Sequence, residues 1–132
     1  MNSTMWNRVD DVATHDAVIV SPETTLRKVT EVMADNRIGA VIVGTAEKAL
    51  GILSERDVVA ALASGAEPDR ARAAEAMSAD VVSVRPTDTV YDAAVDMLDL
   101  GIRHVPVLDE QGHVLGMVSV RDLLRPLMVG SF

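Results

Sequence analysis

None of the 132 residues is cysteine, so no disulfide framework and no thiolate ligand or nucleophile enters the argument. The same absence leaves the compartment open. Aromatics are nearly as scarce, with one Trp, one Tyr and one Phe. Base stacking of the kind that binders of single-stranded nucleic acid use is almost unavailable. Basic residues are outnumbered, 12 Lys and Arg against 20 Asp and Glu, giving a net charge of −8. That sign opposes attraction to nucleic acid or an anionic membrane, so neither is expected as a partner. No apolar run approaches the roughly 20 residues of a spanning helix. The start, "MNSTMWNRVDD", lacks the apolar stretch of a signal peptide, which makes a cytoplasmic protein the expectation.

What is present is a globular composition, 48% hydrophobic and 24% charged, and a phrase written twice. "GILSERDVVAAL" at 51–62 returns as "GMVSVRDLLRPL" at 116–127. Upstream, an offset of 64 matches Val18, Val20, Pro22, Thr25, Met33, Asp35, Ile38, Val41 and Val43 with the same residue types. After one extra residue the offset is 65, and Gly51, Ser54, Arg56, Asp57 and Leu62 match Gly116, Ser119, Arg121, Asp122 and Leu127. The chain is a tandem repeat, and that fixes its architecture.

Each copy parses alike. "AVIV" and "DVVSV" are short β-branched runs, closed by Pro22 and Pro86. A helix follows, capped at Thr24 or Thr25 and at Asp88 or Thr89. Its apolar face is Leu26, Val29 and Met33 in one copy and Val90, Ala94, Met97 and Leu98 in the other. "IGAVIV" and "IRHVPVL" read as buried strands that turn into "LGILS" and "VLGMVS" as hairpins. A last helix places Val58, Val59 and Leu62, or Leu123, Leu124 and Leu127, inward. The expected fold is thus α/β (α+β), β-α-β-β-α twice. Copies occupy residues 9–63 and 73–130, with residues 64–72 as linker and a short helix within residues 1–14. About 60 residues make a marginal core alone, so the two copies are expected to pack about a pseudo-twofold axis.

The repeated phrase has a plain structural account. Ser54-x-x-Asp57 and Ser119-x-x-Asp122 fit a capping box, which contributes about 1 kcal/mol and needs no ligand. Three features point further. Gly51 and Gly116 sit inside strands, where close backbone approach would justify them. Arg56 and Arg121 oppose the helix dipole and add nothing to a cap. The helix N-terminus offers N–H donors and partial positive charge to a phosphate, while an Asp carboxylate accepts from a vicinal diol. Anion donor, cation and diol acceptor within one turn describe a ribonucleotide site. Arg37, Arg103 and His104 flank the second strands and are further candidates for phosphate contact. His15, His104 and His113 are too scattered for metal spacing, and no histidine base with an orienting acid accompanies either serine. Neither a metal, a cofactor nor catalysis is expected.

"SPETTL", "GILSERDVV" and "IRHVPVLDEQGHVLGMVSVRDLL" resemble the cystathionine β-synthase (CBS) domain family over residues 9–130. The most specific element is Gly-x-x-Ser-x-x-Asp at the end of the third strand, in both halves. The resemblance implies a Bateman module, a stand-alone regulatory pair binding AMP, ADP, ATP or S-adenosylmethionine in the cleft between the copies. It implies that Asp57 and Asp122 hold ribose hydroxyls and that Ser54 and Ser119 contact phosphate. It further implies that Val41-Ile42 and Val105-Pro106 line the adenine, and that the chain forms a homodimer serving an unknown effector protein. The alternative is a structural or interaction dimer with vestigial pockets. Ile42 stands where the second copy has Pro106, and the first hairpin lacks a match for Gly112, so the two pockets are expected to be inequivalent. Pro126 lies past the first turn of the last helix, where it costs about 3 kcal/mol or forces a break. Met33 and Met97 recur as core positions, and Trp6 is expected to staple the N-terminal segment to a repeat or a dimer partner.

Overall fold

The structure, a computed structural model, describes residues 3–13 and 17–129, with side chains for residues 5–13 and 17–125. His15 and Phe132 lie outside the described residues. The fold is mixed α+β and falls into two compact units, residues 18–81 and residues 1–17 with 82–132. These units are cut differently from the sequence copies. The segment that opens each copy joins the unit built by the other.

In the first unit, β1 (Ile19–Val20) pairs parallel with β2 (Ala40–Gly44). β2 pairs antiparallel with β3 (Ala49–Ser54) in the register Ala40↔Ser54, Val41↔Leu53, Ile42↔Ile52. Between β1 and β2 runs α1 (Leu26–Asn36). Its N-cap is Thr25, whose hydroxyl accepts from the Lys28 N–H at 3.2 Å. Leu26, Val29 and Met33 are buried on its inner face, against Val41, Val43, Leu53 and Val58. Helix α2 (Glu55–Ala63) follows β3 directly, and α3 (Ala73–Ala76) ends the unit's helical content.

Residues 64–72 connect the copies and are also lashed to α1. The Ala71 and Pro68 carbonyls accept from the Leu26 and Arg27 N–H groups at 2.9 and 3.0 Å. Those are two of the donors that the first turn of a helix cannot satisfy itself. The Arg72 guanidinium donates to the Glu23 carbonyl at 2.7 Å, and Arg27 forms a two-pronged ion pair with Asp69.

The second unit repeats this plan. α4 (Val90–Leu100) is capped by Thr89, whose hydroxyl accepts from the Asp92 N–H at 3.1 Å. β4 (His104–Leu108) pairs antiparallel with β5 (Val114–Ser119), and α5 (Val120–Val129) follows. Here the unit is opened by 3-10 turns at Ser3–Trp6 and Val9–Asp11. The Asn7 carbonyl accepts from the Val90 N–H at 2.8 Å, as Ala71 does for Leu26 in the first unit. Val9 is fully buried among Val84, Val90, Val105 and Val118, and Trp6 stacks on Tyr91 with ring centroids 5.5 Å apart.

Three expectations are corrected. "DVVSV" is not a strand; only Val84 forms a bridge, parallel to Val107. On α4 the third buried position is Ala93, and Leu98 is 83% exposed. At 100° per residue it stands a quarter-turn beyond Met97, outside the stripe centred on Val90, Ala93 and Met97. For the same reason Val59 on α2 and Leu124 on α5 point outward beside buried Val58 and Leu123, while Leu62, on the Val58 face, is exposed at the end of α2. Of the two outcomes expected at Pro126, α5 runs on without a break and bears the lost hydrogen bond instead.

Candidate functional site

Both copies of the repeated phrase build the same local device. The antiparallel hairpin brings Ser54 opposite Ala40 and Ser119 opposite His104, and each serine hands the chain from strand to helix. The first N–H past each serine is satisfied across the hairpin mouth, Glu55 to the Gly39 carbonyl at 2.9 Å and Val120 to the Arg103 carbonyl at 3.0 Å. The cap is therefore anchored to the strand opposite before its side chains are considered.

In the first copy the box is closed. The Asp57 N–H donates to Ser54 Oγ at 3.2 Å, and Asp57 Oδ2 accepts from the Ser54 N–H at 2.9 Å and the Ser54 hydroxyl at 3.0 Å. In the second copy the Asp122 N–H donates to Ser119 Oγ at 3.3 Å, and Asp122 Oδ2 accepts from the Ser119 N–H at 2.8 Å. The structural account of Ser-x-x-Asp is thus realised in both halves. It occupies Oδ2 and leaves Oδ1 turned elsewhere. Asp57 Oδ1 accepts from the Ser78 hydroxyl at 3.4 Å, and Asp122 Oδ1 faces the Arg125 guanidinium at 3.7 Å. Each aspartate keeps one oxygen outside its capping box, where the sequence suggested two. Asp122 is also buried, only 7% exposed.

The glycine of the phrase has its close approach, made by the protein's own chain. A Cβ at Gly51 would lie 2.6 Å from Met77 Sδ and 2.8 Å from the Ser78 carbonyl oxygen. Ser78 in turn exchanges both backbone hydrogen bonds with Ile52, at 3.0 and 2.8 Å. The segment after α3 therefore serves as an extra edge for β3 and delivers Ser78 beside Asp57. Sequence reasoning missed Ser78. Continuing the offset of 64 upstream pairs Arg72 with Arg8 and Ser78 with Thr14, a signal that the stretch belongs to the repeat.

The other candidates take varied places. Arg56 and Arg121 are exposed in the first turns of α2 and α5. Arg37 is exposed and ends α1 in the left-handed conformation, φ 54°. Arg103 is exposed just before β4, and His104 is partly buried at its start. Val41, Ile42 and Val105 are fully buried, and Pro106 nearly so. Val41 and Val105 belong to the two cores, and strand alternation turns Ile42 and Pro106 to the opposite faces. Because β2 is paired on both edges, its backbone polar groups are already engaged within the sheet. His113 lies 3.2 Å from Asp109 Oδ2 in the second hairpin turn, at the opposite end of β5 from Ser119. Among the described residues no cluster of three metal-ligating side chains occurs, and no helix is long and apolar enough to cross a membrane.

The sequence model of the CBS domain matches residues 9–64 and again 73–129. An uncharacterised protein of Methanopyrus kandleri is 35% identical over 127 residues, covering 93% of this chain and 65% of that protein. The chain thus spans just under two thirds of this relative's length. Among solved structures, a CBS-domain containing protein of Agrobacterium tumefaciens is 30% identical with a TM-score of 0.84, covering 95% of this chain and 96% of that one. A CBS domain protein of Pyrobaculum aerophilum, solved in complex with AMP, is 28% identical with a TM-score of 0.84, over 94% and 97% of the two chains. Two family matches in tandem, and like folds over nearly the whole length, agree with the duplicated strand-to-helix phrase: the chain belongs to the CBS domain family and carries a pair of its domains.

Proposed function

We propose that this pair is a regulatory module that senses an adenine nucleotide, AMP first among the candidates, at the N-termini of α2 and α5. The observation that carries the reading is the likeness to the Pyrobaculum aerophilum protein, whose chain is complexed with AMP. The local chemistry supports it. Each helix start combines a serine hydroxyl, an exposed arginine in the first turn and a carboxylate with one oxygen outside its capping box. A ribose hydroxyl suits that oxygen, and a phosphate suits the helix N-terminus and arginine. The message passes to an effector protein, and the module acts as a homodimer through the outward apolar side chains of α2, α4 and α5, Val59, Leu62, Leu98 and Leu124.

Calorimetry with AMP, ADP, ATP and S-adenosylmethionine tests the binding. If a carboxylate holds the ribose, 2′-deoxy-AMP or 3′-deoxy-AMP binds about ten- to a hundredfold more weakly than AMP, because a hydrogen bond to a charged acceptor is lost. Equal affinity for all three would remove the aspartates from the site. The closed boxes favour a second reading, a structural dimer with vestigial pockets. That reading predicts dimers by light scattering and no heat with any nucleotide at millimolar concentration.

A further inference from the structure

Asp57 shows how a guest would compete with the protein itself. Its Oδ2 already carries two donors, both from Ser54, whereas Oδ1 carries one long bond from the Ser78 hydroxyl, at 3.4 Å. Ser78 does not reach Asp57 by chance of rotamer alone. Its backbone is pinned to Ile52 by two hydrogen bonds, and Gly51 lets the Met77 side chain and the Ser78 carbonyl lie against β3 without a Cβ in the way. The hydroxyl is thus held at the one carboxylate oxygen that the capping box leaves over. Its bond is longer than the roughly 2.5–3.0 Å of an ordinary O–H···O hydrogen bond, so it is weak and easily exchanged. The counterpart oxygen in the second copy faces a different kind of group, the charged Arg125, where the first copy has Ala60 at the matching position.

We propose that Ser78 is a built-in stand-in for a ribose hydroxyl, which holds the Asp57 carboxylate in its receptive orientation and is displaced when an adenine nucleotide binds the first copy. The inference rests on the nucleotide reading above and adds a regulating contact to it. A neutral hydroxyl gives way to a hydroxyl of the same chemistry, so the exchange costs the nucleotide part of its own hydrogen bond and lowers its affinity. Removing the stand-in leaves Oδ1 open and returns that part.

The test is an AMP titration of wild type, Ser78→Ala and Ser78→Thr, each checked for an unchanged melting temperature, and followed at the amide resonances of Gly51 and Asp57. Ser78→Ala is expected to bind AMP about two- to threefold more tightly at this site, the low end of what one hydrogen bond contributes. Ser78→Thr, which keeps the hydroxyl, is expected to match wild type. If Ser78→Ala binds AMP equally or more weakly while wild type still binds, Ser78 is a bystander or a direct ligand contact. The stand-in role is then overturned and the nucleotide reading survives. If neither protein shifts at millimolar AMP, the two fall together.

Discussion

Arg37 and Gly101 hold the same place, one residue past the end of α1 and α4, and both are left-handed, at φ 54° and 65°. Glycine adopts that conformation without penalty, whereas an L side chain costs about 1–2 kcal/mol. Part of the difference is lost because glycine also frees the unfolded chain. Arg37→Gly is therefore expected to stabilise the protein by about 0.5–1 kcal/mol in urea denaturation. If Arg37 also contacts a phosphate, AMP affinity falls in the same variant; if not, it is unchanged. Ser54 makes the opposite case. Ser54→Ala removes the acceptor for the Asp57 N–H and one donor to Asp57 Oδ2, and should cost about 1 kcal/mol by thermal melt even without nucleotide. A loss of stability with no change in AMP binding would leave Ser54 as a cap alone. Both residues were visible in the sequence as candidates. What could not be read there is how the Asp57 oxygens divide, because Ser78 lies 21 residues away and nothing in its type announces the contact.

At the scale of elements, the second hairpin is tied by one carboxylate. Burial pushes the Asp109 carboxyl up, but the backbone N–H groups of His113 and Gln111, with the nearby imidazole, outweigh that and hold it below its ordinary value of 3.8. A depressed carboxyl contributes stability that is present above the ordinary value and is lost as pH falls through the lower, folded one. The turn between β4 and β5 is thus expected to loosen below about pH 4. NMR amide exchange at Gln111 and His113 reports it, and Asp109→Asn should weaken the turn at neutral pH and remove its acid dependence. On the other hairpin, Gly51→Ala forces a Cβ against the Ser78 carbonyl. Backbone cannot swing aside as a side chain can, so a cost of about 1–3 kcal/mol and loss of the Ile52–Ser78 pairing are expected, seen as faster exchange of both amides. The helices and hairpins were legible because hydrophobic period and repeat agreed. The outward Val59, Leu62, Leu98 and Leu124 were not, since period locates an apolar stripe without saying how wide it is. "DVVSV" keeps only the Val84 bridge because Pro106 stands where Ile42 donates to the Val18 carbonyl at 2.9 Å in the first copy, and proline has no N–H to give.

At the scale of the whole molecule, neither compact unit is one sequence copy. Val9 lies in a core formed otherwise by residues 84–123, and Ala73 in one formed by residues 20–58. The sequence concealed this because "NRVDD" and "DRARAAEA" share little beyond Arg8 with Arg72 and an acid three residues on, Asp11 with Glu75. Both acids accept from the N–H of the arginine before them, at 3.3 and 2.8 Å. Val9→Ala should cost about 2–3 kcal/mol through lost burial and the cavity left. Hydrogen exchange is expected to place the larger loss of protection in residues 82–129, not in the neighbouring residues 18–81. A uniform loss would argue against two separate cores.

The discontinuous unit also imposes an order on synthesis. Residues 18–81 hold everything their core requires, so this part can close while translation continues. The stretch bearing Trp6 and Val9 leaves the ribosome before residues 18–81 yet waits for residues 82–129 to be made. For that interval Val9 stands without the core that later covers it, and with Trp6 beside it the stretch is a short handle for a chaperone.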